Sequence, residues 1–311
     1  TLTDSDGDKV SSTITVAVGD GANPTISAVT GTAITEMAQG EAAAVRTMSF
    51  VVTHGSDALD PASLGFDIAT IQSTLTGLTS YGNPVSFSLD GNGQLVGTTA
   101  DGREILRAEL SLIEQSGNWS VTARVTLTGE LDHQGSEFLN LPLAVTLADK
   151  DGDRIATTLP LIIADGMAPS FIPGTGVTLD EGGLTGSNSL SQTGHFDVQA
   201  GSDRVVEVAF ADASQQPALT ALGQPLQYQL VDGDPQIPGS QLLKGFVMVD
   251  GQRVEVFEVR LVGTLDQAGK NGFDYQVTLY QGLHQGANAV TELPIKVIVN
   301  DYDKAGGNND S

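Results

Sequence analysis

The sequence predicts an all-β chain built from tandem antiparallel β-sandwich modules, and three observations predict it. Short runs alternate apolar and polar residues, glycine-based turn signals fall between the runs, and one Asp-rich signature occurs twice at identical spacing. The alternating runs are residues 14–18, 85–89, 121–127, 141–147, 226–230, 254–261 and 295–299. A period of two, rich in Val, Thr and Phe, puts one side of each strand in a core and the other in water. Between the runs, Asp90-Gly91-Asn92-Gly93, Asp101-Gly102, Asp232-Gly233 and Asp250-Gly251 supply the left-handed backbone that tight hairpins require. Residues 60–78 open on Asp60-Pro61, a helix-start signal, and are read as one short helix.

The repeated signature is Asp4-Ser5-Asp6-Gly7-Asp8 with Asp20-Gly21 and Pro24, then Asp149-Lys150-Asp151-Gly152-Asp153 with Asp165-Gly166 and Pro169. Asp4 to Asp149, Asp20 to Asp165 and Pro24 to Pro169 are each 145 residues apart. Beyond it, Glu36 corresponds to Glu181, Phe50 to Phe196, Asp57 to Asp203, residues 78–89 to 219–230, and Leu141-Pro142 to Leu293-Pro294. The offsets drift because loops of a shared sandwich change length. A length of 311 residues independently allows two ordinary domains.

With each module starting after Asp-Gly-x-x-Pro, residues 1–24 are the last strand of a preceding module. Residues 25–165 are the first repeat, 166–304 the second, and 305–311 a polar tail. The second repeat lacks the strand that residues 154–164 give the first. No signal peptide opens the chain, which reads as a piece of a longer protein. The unmatched strand at residues 10–18 is an exposed edge able to pair with a neighbouring molecule.

Composition narrows the function classes. Fourteen Lys plus Arg against 38 Asp plus Glu give a formal charge of −24, which opposes binding to nucleic acid or anionic lipid and favours cations. Cysteine is absent, removing disulfides, thiolate metal sites and Cys nucleophiles. No apolar run is long enough for a membrane span.

Alternating carboxylates beside glycine suit a hard cation such as Ca2+, which takes six to eight oxygens in irregular geometry. The 12 residues from Asp153 to Asp165 span about 40 Å if extended at about 3.3 Å each, so these two lie at opposite ends of a module. Hence Asp149, Asp151 and Asp153 are expected to face the linker holding Asp20, and Asp301 and Asp303 to face Asp165. Asp4, Asp6 and Asp8 are the matching set of the preceding module, and Glu36 and Glu181 are further candidates for the same clusters. Asp and Gly also make ordinary turns, but recurrence at fixed distance from a second Asp argues against that reading. The motif is not an EF-hand: glycine stands fourth rather than sixth, and position twelve is Thr15 or Pro160 rather than Glu.

Asp-x-Asp-Gly-Asp, a strand, Asp-Gly-x-x-Pro and an early Glu near Leu, as in Asp180-Glu181-Gly182-Gly183-Leu184, resemble the tandem repeat of giant RTX-like adhesins exported by type I secretion. The resemblance covers essentially the whole chain. It implies immunoglobulin-like extender modules on the bacterial cell surface, outside the cell, stiffened by calcium and projecting a ligand-binding tip. Adjacent repeats of the same polypeptide are then the main partners, and contact with surface glycan or protein falls to other regions. Two departures stand out: Thr35-Glu36-Met37 lacks the Asp before Glu, and Asp301-Tyr302-Asp303-Lys304 loses the Gly-Asp of the motif.

Enzyme chemistry finds no support. His54, His133, His195 and His284 are isolated, lack zinc-site spacing and are read as surface residues. Neither a nucleophile elbow nor a Walker loop occurs, and acids in glycine-rich turns are read as solvated rather than buried as a glycosidase acid must be. Trp119 is read as packing. A rival expectation is a ligand-binding module using the loop at residues 231–243, with Pro235 and Pro238.

Overall fold

The computed structural model describes residues 1–232, 240–263, 265, 270–284 and 292–302. The chain opens with a small hairpin of β1 (Leu2–Thr3) and β2 (Lys9–Val10), turned through Gly7 at φ 100°. Residues 11–24 form no strand, which corrects the expectation for 14–18. The apolar face is present, with Ile14, Val16 and Val18 at 87%, 75% and 90% exposure. What is missing is a neighbour to accept its backbone hydrogen bonds, and a strand exists only as part of a ladder.

The first half has twelve elements: β3 (Thr25–Ile26), β4 (Thr32–Thr35), β5 (Ala44–Thr53), β6 (Leu59–Phe66), α1 (Ile68–Thr74), β7 (Thr79–Ser80), β8 (Asn83–Leu89), β9 (Leu95–Thr99), β10 (Glu104–Gln115), β11 (Asn118–Leu127), β12 (Phe138–Asp149) and β13 (Arg154–Ala164). One sheet runs β3-β5-β11-β10-β9-β8-β7 and the other β4-β13-β12-β6. All neighbours are antiparallel except β4 beside β13. Both sheets turn their apolar sides to one core, where Trp119, Val121, Ala123, Val125 and Leu127 of β11 meet Leu141, Leu143, Val145, Leu159 and Leu161. Each such aliphatic side chain contributes about 1.5–3 kcal/mol when fully buried. Trp119 is 2% exposed, a core residue as expected.

The helix begins later than Asp60-Pro61. That pair lies in β6, an edge strand bonded to β12 alone, where a missing N–H is harmless. α1 instead starts at Asp67, whose carboxylate accepts from the Thr70 N–H at 3.2 Å and the Thr70 hydroxyl at 2.8 Å, the usual N-cap arrangement.

The second half has β14 (Ser170–Ile172), β15 (Leu190–Gln199), β16 (Val205–Phe210), β17 (Thr220–Ala221), β18 (Gln224–Pro225), β19 (Gln227–Asp232), β20 (Gln241–Val249), β21 (Gln252–Gly263), β22 (Lys270–Leu279) and β23 (Val297–Asp301). Its larger sheet, β14-β15-β22-β21-β20-β19, repeats the order of the first. Its second core gathers Val198, Phe257, Val259 and Leu261. Opposite lies the pair β16–β23, and among the described residues β23 has no second neighbour. The consequence shows in burial. Leu141, Leu143 and Val145 are 0–1% exposed, whereas the corresponding Leu293, Ile295 and Val297 are half-buried.

Candidate metal centres

Asp149 closes β12, and its Oδ1 accepts from the N–H groups of Gly152 at 3.2 Å and Asp153 at 2.8 Å. Gly152 sits at φ 106°, a conformation that L side chains resist, so the turn needs glycine there. It folds back on the linker. Oxygens of Asp20, Asp57 and Asp151 all lie within 4.8 Å of one another, and so do those of Asp149, Asp151 and Asp153. Asp151 belongs to both groups. Crowding shifts these acids: the hydrogen bond with Asp149 lifts the Asp151 carboxyl to about 6, helped by burial and by the charges of Asp149, Asp57 and Asp153. The shared proton and the backbone N–H groups hold Asp149 below its ordinary value. Burial and then the charges of Asp20, Asp149 and Asp57 raise Asp153.

Asp20 is brought there by an anchored linker. Gly21 N–H donates to Asp20 Oδ1 at 2.7 Å, Ala22 N–H donates to the Ser56 hydroxyl at 2.8 Å, and Ser56 N–H donates back to the Ala22 carbonyl at 2.8 Å. The same three bonds recur at Gly166, Met167 and Ser202, each at 2.8 Å. A Cβ on Gly21 or Gly166 would run into the serine side chain, so Asp-Gly is required for close approach as well as for its carboxylate.

The second linker meets a different set. Ligand atoms of Glu36, His133 and Asp165 lie within 4.8 Å of one another. Glu36 is 3% exposed, and its Oε1 accepts from Leu131 N–H at 2.7 Å and lies 3.5 Å from His133 Nε2. Its Oε2 is buried with no hydrogen-bond partner. Burial raises the Glu36 carboxyl, against the opposing pull of His133. Burial alone would lower His133, but its hydrogen bond and charge interaction with Glu36 outweigh that and raise it. A buried carboxylate oxygen without a partner is costly unless a cation or proton meets it.

The residues therefore fit a metal cation. The group around Asp20 offers only carboxylate oxygen, the donor set of a hard ion, while Glu36 and Asp165 add a nitrogen through His133.

The other candidates fall out as follows. Asp4, Asp6 and Asp8 cluster with one another in an exposed turn. Glu181 lies in a short 3-10 turn and its Oε1 accepts from Leu283 N–H at 2.7 Å, the same bond Glu36 makes to Leu131, but it joins no group among the described residues. Asp301 ends β23 opposite Val205 and also joins none. Asp303 and most of the loop at residues 231–243 lie outside the described residues. Asp149, at 4% exposure, corrects the expectation that these acids are all solvated.

Sequence reasoning missed two residues of these groups. His133 is buried rather than on the surface; its repeat partner is legible in Leu131-Asp132-His133-Gln134-Gly135 against Leu283-His284-Gln285-Gly286, with one residue deleted between Leu and His. Asp57 was matched to Asp203 but not placed in a cluster. Its signal is Gly55-Ser56-Asp57 against Gly201-Ser202-Asp203, in which each serine receives a linker and Asp57 lies beside Asp20.

Around the second linker the two halves also touch directly. Gln39 N–H donates to the Gly201 carbonyl at 2.9 Å, and the Ser202 hydroxyl donates to the Glu36 carbonyl at 3.4 Å. The Arg204 guanidinium stands 4.4 Å from the Tyr81 ring centre and 4.8 Å from that of Tyr302, and the two rings meet edge to face at 5.3 Å. The Gln39 amide donates to the Tyr81 hydroxyl, and burial raises the Tyr81 phenol.

No protein-family model, curated protein or solved structure matches the chain.

Proposed function

We propose that the chain consists of immunoglobulin-like sandwich repeats whose linkers are stiffened by calcium. In this reading they are extender modules of a large bacterial surface adhesin, exported by type I secretion, that hold a ligand-binding tip away from the cell in adhesion and biofilm formation. The role is mechanical, with no turnover. One observation carries it: the carboxylate of a linker residue, Asp20, lies among carboxylates of the body that follows, Asp57 and Asp151, within 4.8 Å. A divalent ion held there ties linker to body and removes the hinge that inter-domain segments otherwise keep. It also offsets part of the self-repulsion of a −24 chain.

The repeat offset extends the idea to the second linker, where Asp165 stands for Asp20 and Asp203 for Asp57. The full site there draws Glu36 from the body before and Asp203 from the body after. Neighbouring repeats are the partners, and the resemblance in the signatures supplies the cellular setting.

Calorimetric titration of the metal-free chain with calcium tests this. Binding is expected, with Asp20→Asn and Asp151→Asn each weakening it about tenfold or more, about 1.4 kcal/mol. Absence of heat, together with a melting temperature indifferent to calcium, rejects the reading.

A further inference from the structure

We infer that the open slot beside β23 is a strand-binding site, and that its occupant is residues 11–19 of a second copy of this chain. Among the described residues β23 pairs with β16 alone and no strand lies along its other edge, while residues 177–180, the sequence counterparts of β4, form no strand. In the first half β13 fills this place, antiparallel to β12 and parallel to β4. It inserts Leu159, Leu161 and Ile163, each 0–1% exposed.

Residues 11–19 are the sequence counterpart of that strand, 145 positions earlier. Ile14, Val16 and Val18 take the places of Leu159, Leu161 and Ile163, and all three stand in solvent. The receiving side is unfinished to match: Leu293, Ile295, Val297 and Leu179 are half-buried where their first-half counterparts are closed over. Among the described residues donor and acceptor thus present complementary apolar faces with no strand beside them, the condition for strand addition at a sheet edge, and the local bond from Ile295 N–H to the Leu293 carbonyl at 2.9 Å gives way to the new ladder.

The pairing has a definite register. Leu143 faces Leu159 and Leu141 faces Leu161 in the first half, so Ile295 faces Ile14 and Leu293 faces Val16. Parallel pairing of Leu161 with Thr32 and of Ile163 with Ile34 sets Val16 beside Val177 and Val18 beside Leu179. β1 occupies the position of Leu147 and Ala148 against its own β2. It gives up that exposed two-residue pairing and β23 replaces it. Repeated head to tail, the exchange builds a linear chain of copies. It needs no bound metal.

Sedimentation of the full chain, in calcium and in chelator, is the test. Its mass is expected to grow with concentration beyond that of one chain under both conditions. An Ile14→Asp, Val16→Asp double variant, which alters only solvent-exposed side chains, stays at one chain. Because the protein has no cysteine, Thr13→Cys with Lys296→Cys reads the register directly: they correspond to the facing pair Thr158 and Ala144, and oxidation is expected to give a ladder of linked copies. A single-chain mass at every concentration with no ladder overturns the inference, and so does association that survives the Asp variant. Loss of calcium binding with association intact strikes the calcium reading alone.

Discussion

A carboxylate pressed against another holds its proton more tightly, and Asp151 does so up to a value of about 6 against an ordinary 3.8. Between those values the folded chain keeps a proton that the unfolded chain has lost, so stability falls as pH rises through the window. Asp153, Glu36 and His133 are also raised and act with the same sign, each up to its own folded value. Asp149 is lowered, so its contribution is lost only in acid below the ordinary carboxylate range. In chelator, the melting temperature is therefore expected to drop as pH is raised from about 5 to about 7. Asp151→Asn should flatten that slope and calcium should abolish it; a slope unchanged by the variant contradicts the assignment. Screening at the exposed Asp151 keeps its share modest. Glu36→Gln gives a sign reversal instead. It keeps an acceptor for Leu131 N–H and removes a buried charge, so it should leave metal-free stability unchanged or higher while shrinking the gain on adding calcium. Thermal melts with and without the ion check both halves. These pairings were half legible in the sequence. Asp20 and Asp151 announce themselves through recurrence at one offset, whereas His133 hides because a one-residue deletion before His284 breaks the register.

Elements depend on what lies beside them as much as on their own pattern. Asp250-Gly251, with φ 50° and 77°, and Gly93 and Gly102, at 75° and 87°, take the left-handed backbone their sequences predict, because turn chemistry is local. Tyr81-Gly82, at φ 49° and 72°, turns in the same way without an Asp or Asn to signal it. Gly82 has a second constraint, since a Cβ there would meet the Tyr302 hydroxyl. Gly82→Ala should cost about 1–2 kcal/mol from backbone strain alone, read by denaturant unfolding. Residues 14–18 carry as clean an alternation as β11 does, yet pair with nothing. Period two reports an amphipathic face, and only the topology decides whether a neighbour is there to use it. The short helix was misplaced for a related reason: Asp60-Pro61 is tolerated on the edge strand β6, and the cap at Asp67 lies inside the same stretch. Trp119→Ala, removing a fully enclosed indole from β11, should cost about 3–5 kcal/mol. Calorimetry showing a loss below about 1 kcal/mol would contradict the shared core.

For the whole molecule the issue is whether the halves move independently. Arg204 between Tyr81 and Tyr302 contributes about 0.5–2 kcal/mol per aromatic face, enough to bias a junction but not to lock it. The carboxylates that gather at the linkers repel one another, and in the proposed function a bound cation removes that repulsion. Arg204→Ala should therefore loosen the metal-free chain more than the calcium-loaded one. The 145-residue repeat made the approach of Asp20 to Asp151 readable in the sequence. The contacts of Tyr81 with Tyr302 were not readable, because they join positions that share neither spacing nor motif. Small-angle X-ray scattering on the full chain, first in calcium and then in excess chelator, tests the central claim most directly. A single long maximum dimension in calcium, giving way to a broader distance distribution once the ion is removed, is the predicted result. Superimposable curves in the two conditions, with equal melting temperatures, would contradict a metal-stiffened linker.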